Sequence, residues 1–221
     1  SMPDSSHNGP PPALCLTPAF GELLAGFDLD ALARQPDTII GLDADLRLAF
    51  LNPAWFAFAE ANGGGPAIAR DWGLGRCVLD ACPPVIREFY ARALTTVLQE
   101  DKHWDHDYEC SSPEVGRHMR LSAYPLRDRG GLLVVHALIV ATPRDTGQFA
   151  GTTIAPADYA DGNGIVHQCS HCRKIRRTSG PRHWDWVPEL VTNPSANTSH
   201  DLCDVCLDFY YPTPGDLPPP A

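Results

Sequence analysis

Hydrophobic and polar positions along the chain alternate at two different periods, and proline-rich stretches separate the segments that carry them. Over residues 19–34, Leu23, Leu24, Phe27, Leu29 and Leu32 form an amphipathic pattern that predicts one or two short helices, punctuated by Gln35-Pro36-Asp37. Residues 38–43 and 46–51 read as strands on either side of the tight turn Asp43-Ala44-Asp45, which makes a hairpin. Asn52 then caps a helix with Pro53 at its first position, and Asn62-Gly63-Gly64-Gly65 stops it. A loop-rich segment runs through Trp72 and Gly75 to Cys82-Pro83-Pro84. A helix over 85–100 follows, with Ile86, Phe89, Tyr90, Leu94, Val97 and Leu98 on one broad face. Three strand-like runs, 103–110, 117–126 and 131–141, close this region, the last two joined at Arg129-Gly130-Gly131.

Composition then shifts twice. Residues 1–18 are rich in Pro, Ser, Asn and Gly and read as a disordered tail, within which Ser1-Met2 resembles the scar of a cleaved tag. Residues 142–163 read as a linker, 164–212 as a Cys-rich module, and 213–221 as a second proline-rich tail, leaving 19–141 as the larger folded piece.

Charge and length narrow the function classes. With 221 residues, 43% hydrophobic and 20% charged, the composition is that of a globular chain. The apolar run from Leu132 to Val140 is interrupted by His136 and is too short to span a bilayer. A net charge of −10 and a pI near 5.2 speak against a phosphate-backbone footprint, so nucleic acid is a disfavoured partner. No basic segment precedes an apolar one at the N-terminus, so a cytoplasmic location is expected.

Four of the eight cysteines, Cys15, Cys77, Cys82 and Cys110, are scattered; the other four form two CxxC pairs, Cys169/Cys172 and Cys203/Cys206, separated by 30 residues. In a reducing compartment such pairs hold metal more often than they form disulfides, and four thiolates suit the tetrahedral preference of a structural zinc. The long gap predicts a helix or hairpin between the knuckles. His171 and His200 flank the pairs as substitute ligands, and redox-active dithiols, another metal or an Fe–S cluster are the competing readings. Four thiolate ligands leave no open position for substrate water, and no phosphate loop, nucleophile elbow or HExxH appears, so the balance leans away from an enzyme.

The run IIGLDADLRLAFLNPAWFAFAEANG at 39–63, the helix at PPVIREFYARALTTVL and the three closing strands together resemble a PAS domain. That resemblance implies an α+β fold: a five-stranded antiparallel sheet in the order 2-1-5-4-3, helices on one face, and a pocket for a small ligand or cofactor. It also implies a homodimer through the N-terminal helices, with Leu23, Leu24 and Phe27 as contacts. Gly75-Arg76-Cys77-Val78-Leu79 lacks the Asn that precedes the reactive cysteine of flavin photoreceptors, so a flavin is disfavoured. On the strand 103–110, Trp104, His106, Tyr108 and Cys110 share one face and the charged residues the other, which turns His106 inward. These four, with Met119 and His136, are the candidate pocket residues. For His106 three roles compete: a hydrogen-bonded core histidine, an axial ligand to haem or another metal, and a polar contact to a small molecule.

The second piece resembles a Cys-rich appendage that follows PAS domains in bacterial signalling proteins, on the strength of CSHCRKIR at 169–176, SHDLCDVC at 199–206 and FYYP at 209–212. The resemblance implies a small knuckle- or ribbon-like zinc module. On physical grounds Trp184 and Trp186 are expected to pack its core or dock it, and the cations at 173, 174, 176 and 177, beside the first knuckle, to offset the thiolate charge. The expected protein is therefore a sensor or adaptor with a possible protein partner. The alternatives are a haem- or metal-dependent enzyme using His106, and a ligand-free interaction protein.

Overall fold

In the computed structural model, residues 14–62, 68, 71–112, 114–144 and 156–212 are described. The glycine run expected to stop the third helix, half of the expected linker, residues 1–13 of the expected N-terminal tail and the whole of the C-terminal one lie outside them.

The N-terminal elements follow the apolar pattern closely. Helices α1 (Pro18–Leu23) and α2 (Leu29–Arg34) are capped by the side chains of Thr17 and Asp28, which accept from Phe20 N and Ala31 N. Strand β1 (Cys15–Leu16) precedes them and pairs antiparallel with the later strand that holds Phe50 and Leu51, so these residues, which composition assigns to the tail, extend the sheet by an edge strand. Strands β2 (Thr38–Asp43) and β3 (Leu48–Leu51) form the expected hairpin. Its turn consumes two residues more than the apolar pattern implied, because Leu46 takes a left-handed φ of 58° while Asp43 Oδ1 accepts from Asp45 N and Arg47 N. Gly41 in β2 has no room for a side chain: a Cβ there would stand 2.3 Å from the ring of Phe20.

Asn52 caps α3 (Pro53–Ala61), and α4 (Pro84–Glu100) is the long amphipathic helix. Strands β4 (Trp104–Glu109), β5 (Val115–Pro125) and β6 (Gly131–Pro143) complete a six-stranded sheet in the order β1-β3-β2-β6-β5-β4. Without the added edge strand this is the order 2-1-5-4-3.

The C-terminal segment forms a second sheet. Strands β7 (Val166–Cys169), β8 (Ile175–Arg177) and β9 (His183–Asp185) are antiparallel neighbours, helix α5 (Pro188–Thr192) follows, and β10 (Thr198–Asp201) lies parallel to β7. Helix α6 (Asp204–Tyr210) ends it.

By its contacts the chain divides into two compact units. One holds residues up to Val78 together with Thr96–Trp104 and Ser122–His136; the other holds Leu79–Thr95, Asp105–Leu121 and Ala137 onward. The first has a core of Phe20, Leu24, Ile39, Phe50, Leu126 and Leu133. Leu24, a candidate dimer contact, is thus filled into its own chain, whereas Phe27 and Leu29 stay exposed. The second unit has two buried clusters, one around Tyr159, Val166, Ile175 and Val187 and one around the CxxC cysteines. Among the described residues, no helix is long and apolar enough to cross a membrane.

Candidate metal centre

Parallel pairing of β7 with β10 explains how cysteines 30 residues apart meet. Register sets Asp201 opposite Cys169, so both strands end at the same level. The chain leaving β7 makes the tight turn that carries Cys172, closed by Arg173 N to Cys169 O at 3.0 Å and Cys169 N to Lys174 O at 2.8 Å. Arg173 holds the left-handed φ of 64° that this turn requires. The chain leaving β10 turns directly into α6, with Cys203 at its cap and Cys206 one turn on. The gap between the knuckles is filled by β8, β9, α5 and β10.

All four cysteines are buried, and their sulfurs lie within 4.8 Å of one another. Cys172 Sγ and Cys203 Sγ are 3.8 Å apart. A tetrahedron with metal–sulfur bonds of about 2.3 Å has sulfur–sulfur edges of about 3.8 Å, so the donor set fits a closed zinc site. Hydrogen bonds from Cys172 and Cys206 hold the Cys169 thiol far below its ordinary range. The same contact pushes Cys172 up to about 12 and Cys206 higher. Neither flanking histidine joins the set: His171 Nδ1 lies 2.7 Å from the Tyr210 hydroxyl, and His200 is exposed on β10.

The cations expected to offset the thiolates disperse. Arg177 binds Asp185 at 2.8 Å, while Lys174 lines a cleft that Cys172 also borders. Trp184 packs on the cysteine cluster, and Trp186 carries the Arg144 guanidinium 3.6 Å above its ring. At the other end of β7, His167 is held between Asp201 Oδ2 at 2.5 Å and Asp161 Oδ2 at 3.1 Å, which ties β7 to β10 and to the preceding loop. The backbone N–H of Ile165 and the His167 side chain hold Asp161 below the usual carboxylate range.

The candidate pocket residues divide between the units: His106, Tyr108, Cys110 and Met119 belong to the second, Trp104 and His136 to the first. His106 is 7% exposed, turned inward as the alternation required. Its ring centre lies 5.1 to 5.5 Å from those of Phe89, Tyr90, Phe209 and Tyr210. Burial first, and the charge of His171 second, lower its pKa to about 4. Burial likewise raises Tyr90 to about 12 and Tyr108 higher, and lowers His136 on β6 to about 4. Met119 is buried, whereas His118 faces out to Asp107, which the Arg120 guanidinium grips through two bonds of 2.7 and 3.0 Å.

Sequence reasoning missed the partners of His106. Tyr210 shares a hydrogen bond with Tyr90, and Tyr211 donates to Val85 O at 2.8 Å, so α6 is seated on α4 by its last residues. The only forward signal was the aromatic density of Phe209-Tyr210-Tyr211.

A family profile described as PAS fold matches residues 32–150, more than half of the chain. Among solved structures, the PAS domain from Bordetella pertussis BvgS is similar with 19% identity and a TM-score of 0.42, over 58% of this chain and 92% of that one. A domain of an HTR-like protein from Haloarcula marismortui is similar with 17% identity and a TM-score of 0.35, over 48% of this chain and 100% of that one. No curated protein matches.

Proposed function

The chain belongs to the PAS fold family, and from that premise we propose that it is a sensor or adaptor whose PAS segment takes a small ligand or cofactor and passes its occupancy to a zinc-stabilised C-terminal module. The observation that carries this reading is the seat of α6. One short helix and its caps supply two of the four cysteines and also meet α4 and β4 through Phe209, Tyr210 and Tyr211. A shift of α4 or β4 on ligand binding would move the helix that the metal anchors. Cys169, Cys172, Cys203 and Cys206 would hold zinc as a structural ion, since four protein ligands fill its coordination. Its binding energy would supply the folding free energy that so small a module lacks.

His106 as an axial haem ligand is the weaker reading, because four aromatic rings already enclose its imidazole. The exposed Phe27 and Leu29 keep a homodimer through the N-terminal helices in play.

The test combines elemental analysis, an absorption spectrum and a melting screen on the full chain. The expected result is about one zinc per chain, no Soret band, and at least one metabolite that raises the melting temperature. Full zinc occupancy in a Cys169→Ser, Cys203→Ser double variant would remove the metal site. A Soret band would favour the haem enzyme, and melting unchanged across the screen would favour a ligand-free interaction protein.

A further inference from the structure

Two clefts adjoin at Glu109 and Arg144, of about 270 and about 520 Å3, and both residues line both. The smaller is bordered by Arg117, the larger by Lys174, Arg182 and Asp204. Four cations thus face two carboxylates and the sulfurs of Cys172 and Cys203, on a chain whose net charge is −10. Arg182 is already paired with Asp204 at 3.0 Å.

Arg144 is the centre of this patch. Its guanidinium is stacked 3.6 Å above the Trp186 ring, its nearest carboxylate contact is a long 3.8 Å to Glu109, and its buried Nε has no hydrogen-bond partner among the described residues. A guanidinium fixed in place by stacking, with donors still unspent, is a preorganised receptor for an oxyanion. The larger cleft is too big for a bare ion and is within the range of small-molecule sites. Trp184 and Val205 give it an apolar wall.

We propose that these clefts bind a small organic oxyanion, its carboxylate or phosphate head on Arg144 and Lys174 and its apolar body against Trp184 and Val205. The competing explanation is that the cations only balance the charge of the cysteine cluster.

Calorimetric titration of the metal-loaded full chain with phenyl phosphate, benzoate and neutral benzyl alcohol, at constant ionic strength, separates the two. One anionic probe should bind one to one, about tenfold or more tighter than benzyl alcohol, and which one does so identifies the head group. Lys174→Gln and Arg144→Gln should each weaken it by about tenfold. Arg92→Gln, an exposed change on α4 beside Glu88, should leave it unaltered. Because Arg144→Gln also removes the stack on Trp186, Lys174→Gln is the deciding variant if the former loses its metal. Absence of saturable binding by either anion, equal binding of benzyl alcohol, or binding undiminished in Lys174→Gln would overturn the proposal.

Discussion

At Asn52 a single buried amide joins three pieces of backbone. Oδ1 accepts from Ile39 N at 3.0 Å and from Trp55 N at 3.2 Å, and Nδ2 donates to Asp37 O at 2.9 Å. The side chain therefore caps α3 and pins the start of β2 at once. Asn52→Ala removes a cap and leaves a buried N–H without a partner, so it should cost about 3 kcal/mol in urea unfolding. A loss below about 1 kcal/mol would show that the cap alone matters. His106 makes a different residue-scale prediction. Unfolded, its imidazole titrates near about 6.5, while in the fold burial holds it at about 4. Between those values the unfolded chain takes up a proton that the folded chain refuses. Stability is therefore complete above about pH 6.5 and falls as the pH drops towards 4, by on the order of 3 kcal/mol. Protonation of the cysteine cluster acts in the same direction, so the informative quantity is a difference. The unfolding midpoint of His106→Gln should fall less between about pH 7 and about pH 5 than that of the parent; parallel falls would exclude His106 as the source.

Helix α6 is too short to persist by itself, since an isolated seven-residue helix lacks the length to offset nucleation. It is held from both sides, by its cysteines in the sulfur cluster and by Tyr210 and Tyr211 on α4. Tyr210→Phe keeps the ring packing against Phe89 and His106 but withdraws the hydroxyl from Tyr90 and from His171 Nδ1. It should cost about 1 to 2 kcal/mol while leaving metal content unchanged. Loss of metal in that variant would mean that the Tyr210 hydroxyl bonds, and not the cysteines, set the position of the helix.

Across the whole molecule, contacts gather the residues into two compact units. The cysteine module shares a compact unit with Leu79–Thr95 and Asp105–Leu121, segments of the PAS sequence. Stripping the metal should therefore be felt well outside residues 164–212. Hydrogen exchange after chelation is expected to speed up over Leu79–Thr95 and Asp105–Leu121 as well as over β7 and β10, because their opening costs less once the buried sulfur cluster loosens. Deprotection confined to the C-terminal module would show instead that it opens independently.

Local pattern was enough for most of the elements. Period-2 and period-3.6 apolar runs, the Asn52-Pro53 cap and the two CxxC turns depend on neighbours a few residues away, and the order of strands followed once the PAS resemblance was made. What depends on distant residues could not be read so. The edge strand Cys15–Leu16 exists only because β3 offers it a ladder, and Leu24 is core because Phe20 and Phe50 meet it there. Turning His106 inward was legible from alternation, but its enclosure was not, since two of its four rings come from a helix about a hundred residues later. The two knuckles were visible as spacings; the parallel register of β7 and β10 that brings them together was decided by tertiary packing. Side-chain period is a local property of the backbone, whereas the company a side chain keeps is set by which distant strands pair.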